Sequence, residues 1–335
     1  MTGWCISPNS DPMQWFYDPI RLSVFKRCFE IAFGQAAESV QLDLIPHWLG
    51  LGKRLGVDFS AIPFRARLAD GYIYNFGSCP SNTMPDLPDS GISAVLTPHV
   101  PESLLGRTGG IKIPCDISSS ANITSDFEKQ LAHVVGSRRA GNIRRLARKA
   151  RTQFQWQVIK GTQLKGKNNE IAELAAVHEL NVRKHNHPVN LYSENVIHYL
   201  LQSEVAESVR FFLRRSLESG KLVQMCLLYQ DEERAVLYSA VQGIDHDAVP
   251  PGHNLYVSQH YDLFEFAATN GIGKIYLGRG AELDKSQNGA DEFELLYMVF
   301  KSASEPIRAW LQDIRNPADT YFQGSLLRLG LDPRS

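Results

Sequence analysis

Residues 276–289, YLGRGAELDKSQNG, set one lysine, Lys285, and one arginine, Arg279, among three glycines, Gly278, Gly280 and Gly289. Cationic side chains beside backbone that glycines leave bare are suited to meet negative charge. That charge could be on a phosphate, or on the oxyanion that develops when an amine attacks an activated acyl carbonyl. The same residues also fit a turn that needs positive φ with a solvated lysine next to it, and the segment alone leaves both readings open. Arg279 likewise fits a ligand contact or a surface ion pair. His178 continues the helical spacing of Ile171, Leu174 and Ala175, so it points at core or cleft, and His260 in YVSQHYDLF is placed similarly. Each fits a satisfied core histidine, or a base whose ordinary pKa of about 6.5 suits deprotonation of an attacking ammonium.

A second cationic feature is the run SRRAGNIRRLARKAR. It holds seven basic residues, Arg138, Arg139, Arg144, Arg145, Arg148, Lys149 and Arg151, around Asn142. Ile143, Leu146, Ala147 and Ala150 form one apolar helical stripe, which leaves the basic faces outward. These faces fit a solvated helix surface or a phosphate site for a nucleotide, CoA or tRNA backbone, with Asn142, Arg144, Arg145 and Arg148 as contacts. No aromatics interleave the run, which argues against base recognition. Arg183 and Lys184, before HNHP, could join that surface or merely end a helix favourably. Tyr256, at the start of the YVSQHYDLF segment, is a further candidate donor contact. There is no HExxH, no cysteine–histidine pair at ligand spacing and no GxSxG elbow, so the reading includes no metal and no covalent nucleophile.

The elements that must position these residues follow from periodicity. With 335 residues, 43% of them hydrophobic and 21% charged, the chain can bury a large core in one or two domains. Its net charge of −1 gives no global pull toward nucleic acid, so electrostatic function must be local. Five scattered cysteines fit reduced, packed thiols. No apolar run approaches the roughly 20 residues of a membrane span, and the start has no signal pattern; the cytoplasm is the expected location. IPFRARLADGYIYNFGS predicts a hairpin about Asp70-Gly71, and CPSNTMPDLPDSG a long surface loop. GGIKIPCDIS predicts a strand, and SSSANITSDFEKQL caps a helix. FQWQVIKG then predicts a strand and NNEIAELAAVHELNVRK a helix. SVRFFLRRSL, KLVQMCLLYQ and RAVLYSAVQG follow as an antiparallel meander. NLYVSQHYDLFEFAATNG reads as a helix, GKIYLGRG as a strand, and DEFELLYMVFKSASEPIRAWLQDI as a last helix interrupted at Pro306.

A meander followed by helix and strand forces a crossover, which makes RAVLYSAVQG and GKIYLGRG parallel neighbours in a mixed sheet. This is the element order of the GNAT-type acyltransferase fold, in which two adjacent parallel strands splay apart to admit an acyl donor. In order and spacing, SRRAGNIRRLARKAR, VHELNVRKH and GHNLYVSQHYDLFEFAATNGIGKIYLGRGAELDKSQNG resemble the FemAB-like branch of the GNAT superfamily over residues 130 to 300. The resemblance implies an α/β fold with a GNAT-type mixed sheet flanked by helices. It also implies two tandem parts, a degenerate one over 1–120 and a catalytic one over 121–335.

For function, the resemblance implies amide formation by direct transfer of an acyl or aminoacyl group to a small-molecule amine, in cell-envelope or natural-product biosynthesis. Lys285 and His178 would be catalytic. Arg279 and the three glycines would bind the donor. No tightly bound cofactor is implied, the donor being a co-substrate. The Arg/Gln-x-x-Gly-x-Gly/Ala loop that cradles CoA pyrophosphate is missing from DHDAVPPGHNLYVSQH. The donor therefore stays open among acyl-CoA, an acyl carrier protein and aminoacyl-tRNA. A different class also stays open: a non-catalytic tRNA- or nucleotide-binding protein that uses the basic helix at 138–151.

Overall fold

The computed structural model describes residues 14–36, 46–57, 66–68, 72–73, 77–78, 94–107, 109–187, 189–301 and 305–331. The helices are α1 (Pro19–Phe33), α2 (Pro46–Leu55), α3 (Phe127–Val135), α4 (Ser137–Arg151), α5 (Asn168–Lys184), α6 (Glu194–Gln202), α7 (Leu255–Thr269), α8 (Glu282–Gln287) and α9 (Glu305–Arg328). The strands are β1 (Ala66–Leu68), β2 (Tyr72–Ile73), β3 (Gly77–Ser78), β4 (Ala94–Pro101), β5 (Ile111–Asn122), β6 (Phe154–Lys160), β7 (Val209–Ser216), β8 (Leu222–Asp231), β9 (Val236–Ile244), β10 (Lys274–Arg279) and β11 (Glu292–Lys301).

Nine strands form one mixed sheet in the order β1-β4-β11-β5-β10-β9-β8-β7-β6. β7 to β9 are the expected antiparallel meander, with β6 paired antiparallel to β7 at the sheet edge, and β9 and β10 are the expected parallel neighbours, joined by α7. The meander strands are buried on both faces, which divides their side chains between two cores. Phe211, Leu213, Met225, Leu227 and Tyr229 join residues of α1, α5, α6 and α9. Phe212, Cys226, Leu228 and Leu237 join residues of α3, α4 and α7. The sheet is therefore the middle of three layers, the α/β class with helices on both faces. In α4, Ile143, Ala147 and Ala150 of the predicted stripe are buried, with Ala140 in addition, while Leu146 is only half-buried. No helix among the described residues is long and apolar enough to cross a membrane.

Two local expectations fail. DEFELLYMVFK is not helical: residues 292–301 form β11, paired antiparallel to β5 on one edge and β4 on the other. Two flanking ladders outweigh the helical spacing of a short apolar run. The last helix starts at Glu305, and Pro306 lies in its first turn, where a missing N–H costs nothing. SSSAN extends β5 rather than capping a helix, and Asp126 is the N-cap of α3. The hairpin read about Asp70-Gly71 falls on residues outside the described ones; among the described residues the flanking β1 pairs with β4 and β2 with β3. Alternation marks a strand without marking its partner. The loop predicted at 79–91 also lies outside the described residues.

β5 lies between β10 and β11, so residues 111–122 share the sheet with the C-terminal strands. The boundary read near residue 120 falls at the end of that strand.

Candidate active site

β9 and β10 run together for only three residue pairs. Lys274 lies opposite Val236, Ile275 opposite Leu237 and Tyr276 opposite Tyr238. At the last pair the two tyrosine rings stack with centroids 5.1 Å apart and planes 8° apart, and Trp15 also stacks on Tyr238. Beyond that aromatic vertex the ladder stops. β9 continues to Ile244 on β8, while β10 shifts register at a bulge after Tyr276 and stays with β5. The parting is built by conformation: Gly278 and Gly280 take φ of 72° and 69°, and Ala281 takes 50°. Such values favour glycine, so the turn reading accounts for these two positions. Gly289, at φ 111°, is a packing glycine as well, because a Cβ there would lie 2.6 Å from Phe264 and 2.8 Å from Leu131.

Lys285 is not solvated. It lies on α8, 6% exposed, and its Nζ donates to the Gly278 and Arg279 carbonyls at 3.0 and 2.9 Å. Burial lowers its pKa to about 7; Asp116 and Glu282 draw it up, while Arg279 and Arg54 draw it further down. An ammonium has three donors, so one N–H remains beyond the two strand-end carbonyls. Arg279 lies against Asp116 on β5 at 3.2 Å, and Asp116 also takes Arg54 from α2 at 3.0 Å.

Helices flank the parting from both faces. On one, α5 presses onto β9 where Gly243 allows it: a Cβ there would meet the Val177 carbonyl oxygen at 2.4 Å. This brings His178 Nδ1 to 3.4 Å from the Gln242 carbonyl. A carbonyl only accepts, so Nδ1 carries the proton, and burial lowers the His178 pKa to about 4. His187 is also lowered to about 4, by burial and then by the charge of Arg279. On the other face, His260 of α7 donates from Nδ1 to the Tyr256 carbonyl at 3.0 Å. Burial again lowers it to about 4, with the charge of Lys285 acting in the same direction. Tyr256 stands over His260 at 4.6 Å with its hydroxyl buried and unpartnered, and burial raises its pKa. Lys285 is therefore grouped with His260, Arg279, Asp116 and Arg54, whereas His178 faces β9 from the opposite layer.

The basic helix divides between inward and outward roles. Arg151 reaches into a buried network, 2.6 Å from both Asp262 and Glu265. Asp262 also binds Arg214 of β7, which in turn donates to Gln224, Ser258 and the Leu255 carbonyl. This network fixes the first turns of α7 to the sheet. Arg144 is held by Glu128 at 2.8 Å, Arg145 by Asn142 at 2.9 Å, and Arg148 is exposed. Arg183 is an exposed partner of Glu179 on its own helix. At the N-terminus of α4, Val135, Gly136, Ser137, Arg138, Arg139 and Asn142 line an open cavity of about 600 Å³. The α4 N-cap, Gly136, supplies no side-chain cap, and Arg139 donates to the Gln287 carbonyl at 3.1 Å, beside the Lys285 helix. Of the donor-contact candidates, Asn142 lines this cavity; Arg144, Arg145 and Arg148 do not.

Sequence reasoning missed Asp116, Arg54, Arg214 and Asp262. The available signal was a charged residue inside an apolar strand run, as in KIPCDIS and RFFLRRS, which shows that a partner is needed without naming it. Among the described residues no group of three or more His, Cys, Asp or Glu could hold a metal.

No protein-family model matches the sequence, and no curated protein is similar to it at a significant level. Among solved structures, the chain is similar to the C-terminal domain of a protein assigned as a lysylphosphatidylglycerol synthetase from Agrobacterium fabrum. Identity is 13% over 67% of this chain and 72% of that one, with a TM-score of 0.49. It is similar to L-PGS from Bacillus licheniformis at 10% identity, over 65% and 71% of the two chains, with a TM-score of 0.49. A tandem GNAT protein from the clavulanic acid biosynthesis pathway shares 10% identity over 64% and 66%, with a TM-score of 0.39.

Proposed function

We propose that this protein is an N-acyltransferase that joins an amine directly to an acyl or aminoacyl group carried on a thioester or ester. The observation that carries the reading is the parting of β9 from β10 beyond Tyr238 and Tyr276, with the Lys285 amine seated on the carbonyls at its rim. The acyl group enters the parting. The amine nitrogen attacks the acyl carbon, the bond to sulfur or oxygen breaks, and the leaving thiolate or alkoxide takes up the proton the amine loses. The remaining Lys285 N–H stabilises the oxyanion in a low-dielectric setting, where such a donor counts most. With its Nδ1 committed to Gln242 and its pKa about 4, His178 holds α5 against the splayed strand and is too weak a base for an ammonium.

Donor phosphates fit the cavity at the head of α4, with Arg138, Arg139 and Asn142. We take the chain as two GNAT-like parts, 1–120 and 121–335, sharing one sheet. The test is mass spectrometry of acyl transfer to a panel of amines from acyl-CoA, acyl carrier protein and aminoacyl-tRNA donors. Product should form with one donor class and depend on Lys285. No transfer from any of the three would end the reading.

A further inference from the structure

Past Tyr276, the edge of β10 toward β9 has no ladder partner, so the strand end is held from the opposite side. Ser119 Oγ donates to the Gly278 carbonyl at 3.1 Å, and the Gly280 N–H donates to the Ile117 carbonyl at 3.3 Å. The remaining hold is ionic. Asp116, 2% exposed, accepts Arg279 Nη1 on Oδ2 at 3.2 Å. Its Oδ1 takes Arg54 Nη2 at 3.0 Å and the Ile117 N–H at 2.9 Å. Arg54 also donates to the Cys115 carbonyl at 2.8 Å. Three segments far apart in sequence, α2, β5 and β10, thus meet on one carboxylate. A buried ion cluster of this kind adds little stability over an apolar one of equal volume, so its value lies in fixing geometry.

We propose that Asp116 is the positioning residue of this site: it fixes Arg279, and with it the two strand-end carbonyls that Lys285 grips. This rests on reading Lys285 as the group that meets the acyl oxygen. The charged or titratable groups facing Lys285 are Asp116 on β5, Arg279 on β10, Arg54 on α2, Glu282 on α8 and His260 on α7. Asp116 is therefore also a source of the negative charge that lets an ammonium exist there.

The test is Asp116→Asn, which keeps the volume and removes the charge, in the full chain labelled with ¹³C-lysine. The Lys285 resonance is assigned by its loss in Lys285→Met. The Lys285 titration midpoint should fall by about one pH unit, turnover at pH 7 should fall about fivefold as the ammonium fraction drops, and the pH profile should move with the midpoint. Asp116→Glu should recover part of both. A folded Asp116→Asn protein with the wild-type midpoint and pH profile would overturn the assignment. If Asp116→Asn does not fold, Asp116→Glu takes its place: a carboxylate set one methylene further along should shift both the Lys285 midpoint and turnover from wild type, and a folded variant unchanged in both overturns the proposal. Should Lys285→Met leave acyl transfer intact, the acyl-transfer role of Lys285 fails, while the Lys285 midpoint still decides whether Asp116 governs that corner.

Discussion

Replacing Lys285 by methionine separates what its charge does from what its bulk does. In the folded chain the amine is 6% exposed and its pKa is about 7, against 10.5 for an unburied lysine. Between those two values the unfolded chain holds one proton more than the folded one, so wild-type stability rises with pH by about 1.4 kcal/mol per unit from this group. Below about pH 7 both states are protonated and the full cost of burying the ammonium is present. Lys285→Met lacks the titration and gives up the hydrogen bond to the Arg279 carbonyl, while the Gly278 carbonyl keeps Ser119. Its stability relative to wild type should therefore decline by about 2.7 kcal/mol from pH 7.5 to 9.5, read from urea unfolding at both pH values. Turnover in the acyl-transfer assay should drop about 10²-fold to 10³-fold with little change in the apparent substrate constant. Parallel stability curves would refute the buried amine, and wild-type turnover would refute its role at the carbonyl.

Acid should destabilise the protein through its buried histidines. His178 and His260 have folded pKa values of about 4, so between pH 6.5 and 4 the unfolded chain binds more protons, and each costs about 1.4 kcal/mol per unit of falling pH; denaturation midpoints at pH 5 and 7 measure this, and a flat profile contradicts it. Gly289→Ala should cost about 2 to 4 kcal/mol, because its methyl group collides with Phe264 and Leu131 at positive φ, whereas Gly280→Ala, with nothing nearer than Arg54 at 3.8 Å, should cost about 1 to 2. Equal thermal shifts for the two variants would remove the packing argument. Arg138→Gln with Arg139→Gln should weaken donor binding and flatten its salt dependence more than Arg144→Gln, whose guanidinium is already committed to Glu128; equilibrium binding at two ionic strengths decides it, and the reverse order would move the phosphate site along α4.

The meander, the crossover and the parallel pair were legible because each rests on local periodicity plus a chirality rule that leaves one way back to the sheet. β11 was not, since EFELLYMVFK has apolar residues at both periods and only its two partners, β4 and β5, settle the choice. At the candidate site, sequence singled out Lys285 and its glycines but not why they are there. The positive φ of Gly278 and Gly280 is local, while the contact that requires Gly289 comes from Phe264 and Leu131, far away in the chain. Asp116 was invisible as a site residue because its partners, Arg54 and Arg279, lie 62 residues before it and 163 after. An apolar stripe shows which face of α4 is buried, but it cannot show that Arg151 turns inward to Asp262 while Arg138 stays outside.

The placement of β5 sets the order in which the corner around Lys285 can come into being. On a ribosome, residues 111–122 emerge long before either of the strands they separate, so β5 must wait through the synthesis of the whole meander with both edges unpaired. β10 then closes one edge, and β11, over 100 residues behind β11's own partner in β5, closes the other. Pairings so distant in sequence are slow to form. During that interval a two-sided strand edge is exposed to pairing with other chains. Asp116 lies on this strand and needs both Arg54, made early, and Arg279, made late. The corner that holds Lys285 is thus among the last parts of the molecule to assemble.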